Sequence, residues 1–248
     1  MIEFFNFKYL HMKLLGKLYL IPTTMGESDP MDVLPQTVRR TIEVIDHYIV
    51  ENDKTARKSI KAVYPEKKQS ELVLFTLNKR TETSEHNDFI KPLLEGKNMG
   101  LMSEAGCPGV ADPGAVIVKL AHEKGIQVVP LVGPSSILLA MMASGMNGQS
   151  FTFNGYLPID KDEKKSAIRH FEKLSYDKNQ SQLFIETPYR NNKLIEDLLQ
   201  ILSPATHLCI ATDITLPTEF IKTMKISDWK KLKIDIDKRP TIFIIHKM

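Results

Sequence analysis

Four loops rich in glycine, proline and small polar residues carry most of the chemistry that this sequence offers. The longest spans residues 103–114, between the strand-like run Met99–Met102 and a helix-like run. Its three glycines let the backbone approach a ligand closely, and its two prolines fix the shape of the loop. Asp112 and Pro113 predict the start of the helix, with Asp112 as its N-cap. Composition leaves two interpretations open, a ligand-binding loop or a rigid connector.

The other three loops also follow strand-like runs, and they span residues 22–27, 132–136 and 154–158. The small residues at 132–136 open a helix-like run, where backbone N–H groups can hold a polar group of a ligand. In an open α/β sheet, ligands bind outside the carboxyl ends of the strands. These four loops are therefore the predicted location of a site.

Several familiar motifs are absent from the sequence. It has no G-x-G-x-x-G dinucleotide motif, no G-x-x-x-x-G-K-[S/T] phosphate loop and no G-x-S-x-G nucleophile elbow. Its seven histidines form no His-x-x-x-His pair, so we expect no zinc site and no other metal site.

Charge and cysteine usage bound the class of protein. The 33 basic and 30 acidic residues give a net charge of +3, which does not by itself indicate a nucleic-acid-binding protein. A local basic patch is still compatible with one. The two cysteines form no C-x-x-C pair and predict a reducing, cytoplasmic location. The sequence has no apolar window of about 18 residues, so we expect no membrane-spanning helix and no membrane partner.

The order of strand-like and helix-like runs predicts two α/β domains. The runs alternate along residues 17–148, which predicts a mostly parallel sheet with helices on its faces. Apolar periodicity predicts helices over residues 30–47 and 84–95 within this domain. Strand-like runs outnumber helices over residues 149–248, so we expect a second domain with a mixed sheet. Residues 1–16 are interpreted as an N-terminal extension, with Met12 as the true start.

Five segments in a fixed order carry a resemblance to a known family. They read LIPT, SEAGCPGVADPG, GPS, GYLP and ETPYR, at residues 20–23, 103–114, 133–135, 155–158 and 186–190. In this order they resemble the tetrapyrrole (corrin/porphyrin) methylase family, and the resemblance runs from about residue 17 to residue 247. The closest branch methylates the ribose 2′-oxygen of a cytidine in small-subunit ribosomal RNA.

The resemblance implies a fold, a cofactor and a partner. The fold would be two α/β domains with a cofactor cleft between them, and the cofactor would be S-adenosylmethionine. The protein would be a homodimer that acts on small-subunit ribosomal RNA. Carried over motif by motif, the implied cofactor-binding residues are Pro22, Glu104, Ala105, Gly106, Cys107, Pro108, Ser135, Ser136, Tyr156, Leu157, Glu186, Ala211 and Thr241.

The implied reaction agrees with the motifs that are absent. Methyl transfer from a sulfonium is an in-line displacement, which needs no metal and no covalent intermediate and depends on positioning. The acceptor hydroxyl must lose its proton, so a base or a stabilising cation is expected. The branch has A-E-D-T-R after its second strand, and the matching segment here implies Glu51, Asn52, Lys54 and Arg57 as catalytic residues.

Two basic stretches are candidates for contact with RNA phosphates. Residues 51–68 contain six basic and three acidic residues, and residues 222–239 contain seven and three. Both stretches are equally compatible with an ordinary solvated surface.

Departures from the branch leave the acceptor open. Thr212 and Leu216 stand where the branch has Arg and Lys, so two cations expected near a phosphate are absent from these positions. The alternatives are another RNA, another nucleotide or a small molecule. A tetrapyrrole is the first of the small molecules, although residues 22–26 lack the G-x-G-P-G start of that branch. A non-catalytic cofactor-binding protein that acts as an RNA-binding or assembly factor is the alternative from another class.

Overall fold

The computed structural model describes residues 14–78 and 81–247, which form two compact units. The first unit contains the chain up to Thr23 together with Leu34–Gly133, and the second contains Thr24–Val33 and the chain from Pro134 onward. Most of the predicted N-terminal extension, including Met12, lies outside the described residues.

The first unit contains a five-stranded parallel sheet. Its strands lie in the order β3-β2-β4-β1-β5. Every pairing in the sheet is parallel, which confirms the predicted architecture of this part of the chain. The strands are β1 (Lys17–Leu20), β2 (His47–Val50), β3 (Val73–Thr76), β4 (Met99–Met102) and β5 (Gln127–Pro130).

Helices cover the two faces of this sheet and supply its core. Leu93 and Ile117 pack with Leu18, Ile49 and Leu101 of the strands, and all five side chains are buried. The helices of the unit are α1 (Gln36–Val44), α2 (Asp53–Val63), α3 (His86–Phe89), α4 (Lys91–Leu94) and α5 (Ala115–Glu123).

Two of the predicted helices are interrupted at prolines. The helix predicted over residues 30–47 is wrong as a continuous element, because α1 begins only after Pro35 and a single 3-10 turn, Pro30–Asp32, precedes it. The helix predicted over residues 84–95 is divided between α3 and α4, and Pro92 has no N–H to donate to the carbonyl group of Asp88. Apolar periodicity detected both segments but did not show where the hydrogen-bond ladder breaks.

The second unit contains a five-stranded mixed sheet, as predicted. Its order is β6-β7-β10-β8-β9. Only the pair β6 and β7 is parallel, and the other three pairs are antiparallel. The strands are β6 (Phe151–Tyr156), β7 (Ser181–Ile185), β8 (His207–Thr212), β9 (Phe220–Lys225) and β10 (Thr241–His246).

The two faces of this sheet pack against different helices. Phe184 and Phe243 face the helices α7 (Lys161–Lys178), α8 (Asn191–Ile201) and α9 (Ile226–Trp229) in one cluster. Ala140 and Met141 of α6 (Ser136–Ser144) pack on the opposite face with Cys209 and Ile244. The units therefore divide at Gly133 and Pro134, whereas the sequence placed the change of domain after residue 148. None of the helices in residues 14–78 and 81–247 is long and apolar enough to cross a membrane.

Candidate active site

The predicted site residues of the first unit lie at the carboxyl ends of its strands. Val50 pairs with Met102 in the sheet, so Glu51 and Ser103 leave neighbouring strands at the same edge. Leu20 of β1 pairs with Leu101 and with Pro130, so Pro22 follows at that edge too. The sheet register thus brings together segments that are far apart in the sequence.

The loop of residues 103–114 is held in a specific shape. Gly106 and Gly109 have φ values of +71° and +81°, and Ala111 has a φ of +63°. The Thr23 N–H donates to the carbonyl group of Gly106 at 2.9 Å, which ties the loop to the residues after β1. Glu104 and Ala105 are exposed in this fixed loop, and the Glu104 carboxylate accepts a hydrogen bond from the Thr55 hydroxyl at 3.4 Å.

Glu51 holds a buried carboxylate oxygen that lacks a partner. Its Oε1 is buried and has no hydrogen-bond partner among the described residues. Burial raises the pKa of Glu51, and the negative charge of Asp112 raises it further, against a hydrogen bond from the Glu104 backbone. Glu51, Ser103 and Asp112 line a small pocket of about 10 Å³, which is about the space that one water molecule needs.

Asp112 belongs to this pocket, and its predicted role as a helix cap is wrong. Helix α5 begins at Ala115, its N-cap is Gly114, and no side chain caps it. The Asp112 carboxylate instead accepts a hydrogen bond from Ser103, and burial raises its pKa. The sequence indicated Asp112 only as a helix cap, so it did not point to the pocket that Asp112 shares with Glu51.

Two of the four predicted catalytic residues, Asn52 and Arg57, make hydrogen bonds that hold helix α2 in place. The Asn52 side chain caps α2 by accepting the N–H groups of Lys54 and Thr55 at 3.0 and 3.2 Å. The Arg57 guanidinium donates to Asp53 at 2.7 Å and to the carbonyl group of Gln69 at 2.6 Å. The Lys54 side chain is exposed.

Pro22 and Cys107 both lie close to the backbone of Gly133. A Cβ atom on Gly133 would lie 2.2 Å from Cγ of Pro22, so a larger residue at this position needs a shift of the backbone. The Cys107 thiol lies 3.8 Å from the carbonyl oxygen of Gly133, and burial raises its pKa. A raised pKa disfavours the thiolate, which agrees with a packing role for Cys107.

In the second unit, two predicted cofactor residues, Tyr156 and Ala211, lie in one row of the sheet, and two more lie next to it. Tyr156 of β6 pairs with Ile185 of β7, Ile185 with Ile242 of β10, and Ile242 with Ala211 of β8. Glu186 and Thr241 each lie next to a member of that row. Tyr156 is exposed and the adjacent Leu157 is buried.

Glu186 is a buried carboxylate whose Oε1 accepts three hydrogen bonds. Its side chain is only 2% exposed. It accepts hydrogen bonds from the Thr187 N–H at 2.6 Å and from Nε and Nη2 of Arg190 at 3.0 and 2.6 Å. The arrangement fixes the turn after β7, because the guanidinium binds the carboxylate with two donors.

A hydrogen-bonded network joins the loops beside Thr241. Thr241 and the buried Thr212 share a hydrogen bond of 2.9 Å between their hydroxyl groups. The Asn191 amide donates to the carbonyl group of Arg239 at 2.6 Å, and its buried Oδ1 has no partner among the described residues. Arg239 in turn donates to Asp213 at 2.8 Å.

The resemblance predicts an Arg and a Lys at positions 212 and 216, and the structure shows how Thr212 and Leu216 are accommodated there. Thr212 is buried and bonded to Thr241, while Leu216 packs so closely on Gly26 that a Cβ atom there would lie 2.7 Å from the leucine. Arg239 precedes β10, and Asp213 follows the neighbouring strand β8. The Arg239 guanidinium forms an ion pair with the Asp213 carboxylate. Sequence reasoning placed Arg239 only in the basic stretch of residues 222–239, and it missed the contact with Asp213 because the two residues are remote in the chain.

The remaining predicted residues, Ser135 and Ser136, lie at the start of α6. The Ser135 hydroxyl accepts the Leu138 N–H at 3.5 Å and caps the helix. Ser136 is the first residue of α6 and is partly exposed.

Comparison with known proteins identifies the family of the chain. The model of the Tetrapyrrole (Corrin/Porphyrin) Methylases matches residues 17–229. The chain belongs to this family. As a tetrapyrrole methylase it is an S-adenosylmethionine-dependent methyltransferase, as the sequence predicted.

Curated relatives of this tetrapyrrole methylase are methyltransferases by name. The chain is 28% identical to "Ribosomal RNA small subunit methyltransferase I" of Vibrio cholerae, over 85% of this chain and 69% of the relative. It is 32% identical to the protein of the same name of Bacillus subtilis, over 76% of this chain and 60% of the relative.

Two solved structures of methyltransferases share the fold of this tetrapyrrole methylase. The methyltransferase CobJ has a TM-score of 0.62 at 17% identity and covers 94% of each chain. Uroporphyrin-III C-methyl transferase from Thermus thermophilus, solved in complex with S-adenyl homocysteine, has a TM-score of 0.55 at 15% identity, over 94% of this chain and 98% of that one.

Proposed function

We propose that the chain methylates a ribose 2′-hydroxyl of small-subunit ribosomal RNA, with S-adenosylmethionine as the methyl donor. The named relatives and the motif resemblance support RNA as the acceptor. The observation that carries the proposal is the Glu51 carboxylate, which stands at the strand edge with one buried oxygen unpaired. A hydroxyl acceptor needs such a proton acceptor, whereas an acceptor nitrogen with a free lone pair does not.

The proposed cofactor residues have the chemistry that S-adenosylmethionine needs. Its sulfonium and amino groups require oxygen acceptors, and its carboxylate requires backbone N–H groups or hydroxyls. The first unit offers the exposed Glu104 and the backbone of Ala105, Gly106, Cys107 and Pro108, next to Pro22. The buried, unpaired Oδ1 of Asn191 is a further acceptor, beside Thr241 in the second unit.

The other residues proposed to contact the cofactor belong to the second unit. They are Ser135, Ser136, Tyr156, Leu157, Glu186 and Ala211. Because Glu186 and Thr241 are fixed by hydrogen bonds before any ligand arrives, little side-chain entropy is lost when they bind it.

Glu51 is proposed as the general base of the transfer. The bound cofactor supplies an electrophilic methyl group on its sulfonium. When the acceptor oxygen takes the methyl group, the Glu51 carboxylate would accept the hydroxyl proton. Burial, together with the charge of Asp112, raises the pKa of Glu51, which makes it a stronger base than an ordinary carboxylate.

Helix α2 supplies the proposed contact with RNA. Lys54 and Lys61 of α2 are exposed, whereas Lys67 is buried on Asp46 and Arg57 is bound to Asp53. Exposed lysines that follow one helix can neutralise phosphates, which would add a salt-dependent term to binding. Lys54 thus acts in our proposal on the RNA, and Asn52 and Arg57 position the start of α2.

We infer in addition that the protein acts in the cytoplasm as a homodimer. The absence of a C-x-x-C pair and the proposed ribosomal substrate support the location. The dimer is proposed from the family resemblance.

Methyl transfer with labelled S-adenosylmethionine tests the proposal. The acceptors are small-subunit RNA, assembled small subunits and a tetrapyrrole such as uroporphyrinogen III, and nucleoside mass spectrometry locates the added methyl group. We expect label at a ribose oxygen of the RNA. Label on the tetrapyrrole alone supports the small-molecule alternative, and cofactor binding without any transfer supports a non-catalytic RNA-binding or assembly factor.

The Glu51→Gln variant tests the base. We expect it to lower the transfer rate roughly 10²- to 10⁴-fold, the usual contribution of a general base, and to keep the affinity for S-adenosylmethionine in calorimetric titration. Glu71→Gln, an exposed isosteric change, is the matched control. A Glu51→Gln variant with full activity would remove Glu51 from the mechanism.

A further inference from the structure

A second cavity lies in the second unit, at the opposite end of the sheet from Thr241 and Ala211. Its volume is about 420 Å³. Two histidines line it, His207 at the start of β8 and His246 at the end of β10. Nothing in the proposed methyl transfer uses this end of the sheet.

The two histidines are direct cross-strand partners. The antiparallel register of β8 and β10 pairs His246 with His207. Side chains of directly opposed residues lie on the same face, with Cβ atoms about 4.5–5.5 Å apart. Strand alternation places both histidines on the face that Cys209 and Ile244 present to α6.

The end of α6 leaves room above the histidines. The helix ends at Ser144, and Gly145 follows with a φ of +69°. Gly145 and Met146 line the cavity, so the chain turns away before it covers the end of the sheet. The carbonyl groups of a helix C-terminus carry a partial negative charge, which favours a cation nearby.

Hydrogen bonds assign the tautomer of His246. Ser181 Oγ donates to the carbonyl group of Asn147 at 3.0 Å, so towards His246 Nδ1, 3.4 Å away, it can only accept. Nδ1 therefore carries the proton, and Nε2 holds a lone pair. A ring nitrogen held in this way, with the other left to coordinate, is the usual arrangement of a metal-binding histidine.

His207 has a nitrogen whose hydrogen-bonding capacity is unused. Its Nδ1 is buried and has no hydrogen-bond partner among the described residues. A buried polar atom without a partner costs about 1–3 kcal/mol, so a turn of the ring that brings this nitrogen to a ligand in the adjoining cavity would remove that cost.

The lining selects the class of ligand. Its residues include no Asp, Glu, Lys or Arg among the described part of the chain, so neither an anion nor a hard cation such as Mg²⁺ finds its usual partners. Imidazole nitrogens and the thioether of Met146 are instead the donors that borderline and soft transition metals prefer. We propose that His207 and His246 bind a transition-metal dication of the zinc class, with water or a small ligand in the remaining positions.

Metal titration of the full chain tests this proposal. The protein is first freed of metal with a chelator, and Zn²⁺ binding is then measured by competition with a chromophoric indicator. Co²⁺ is the second probe, because its visible absorption reports nitrogen coordination. We expect the tightest site to weaken at least tenfold in His207→Gln and in His246→Gln, and to be unchanged in His170→Gln, an exposed histidine of α7.

Thermal unfolding gives an independent readout that does not involve methyl transfer. Zn²⁺ should raise the unfolding midpoint of the wild type, because a ligand of the folded state stabilises it. The same addition should have no effect on the His207→Gln/His246→Gln variant, whose own midpoint without metal shows whether it folds. Absence of Zn²⁺ binding by the wild type, or binding that both single variants retain in full, would overturn the proposal.

Discussion

Removal of the Arg190 guanidinium is the most sensitive test of how the second unit holds its proposed site. Glu186 is 2% exposed at its side chain, and Arg190 supplies two of its three hydrogen bonds. Arg190→Met keeps the length of the side chain but leaves the carboxylate with only the Thr187 N–H. Breaking a buried ion pair in this way costs about 3–5 kcal/mol.

The expected cost lies at the lower end of that range. The Arg190 side chain is 38% exposed, so solvent can enter after the substitution, and the backbone donor at 2.6 Å is retained. We expect a loss of about 3 kcal/mol, which corresponds to roughly 6–12 °C in the thermal midpoint of a chain of this size. Circular dichroism during heating and during urea unfolding measures both quantities.

A double variant separates the charge from the packing. Glu186→Gln/Arg190→Met removes both charges, so it should recover most of the loss and differ from the wild type by about 1 kcal/mol. Lys193→Met is the matched control on α8, since that lysine is 61% exposed and should cost no more than about 1 kcal/mol. A loss below about 1 kcal/mol in Arg190→Met, or a double variant as unstable as Arg190→Met, would refute the reasoning.

Three further predictions concern the first unit. The pKa of Glu51 is higher in the folded state than in the unfolded chain. Between the two pKa values the folded protein keeps a proton on Glu51 that the unfolded chain has released, so the free energy of unfolding falls as pH rises through this range. Glu51→Gln should therefore be more stable than the wild type at neutral pH but not at pH 4, as denaturant midpoints would show, and the wild-type transfer rate should decline as pH falls towards the raised pKa. Asn52→Ala should lose about 1 kcal/mol because it removes the cap of α2, whereas Asn52→Asp should not, and equal unfolding midpoints for the two variants would argue against capping. Gly133→Ala should cost about 1–3 kcal/mol and weaken S-adenosylmethionine binding in calorimetry, since its Cβ atom would meet Pro22 at 2.2 Å, whereas Gly148→Ala, which meets nothing within 4 Å, should do neither.

The helix boundaries that sequence reasoning predicted wrongly have a common cause. Periodicity reports which side chains face the core, so it detected the apolar faces on either side of Pro35 and Pro92. The same pattern does not report where a missing N–H ends a helix. Asp112 fits the rule for an N-cap, but α5 begins three residues later, and the carboxylate turns to Ser103 instead.

Local order determined the class of the fold and the position of the predicted site. Alternation of strand-like and helix-like runs was enough for a parallel sheet, since a parallel pair requires a crossover between its strands. The excess of strands after residue 148 was enough for a mixed sheet. Small-residue loops after strands marked the edges where Ser103 and Tyr156 lie, whereas Glu51 and Glu186 came from the resemblance.

Strand order and register, by contrast, decided which side chains meet. Glu51 approaches Asp112 because β2 and β4 are neighbours, although the sequence places β3 between them. His207 faces His246 because β10 inserts beside β8 in a fixed antiparallel register. Such pairs depend on packing between elements that are remote in the chain, and a local pattern of residue types contains no information about that packing.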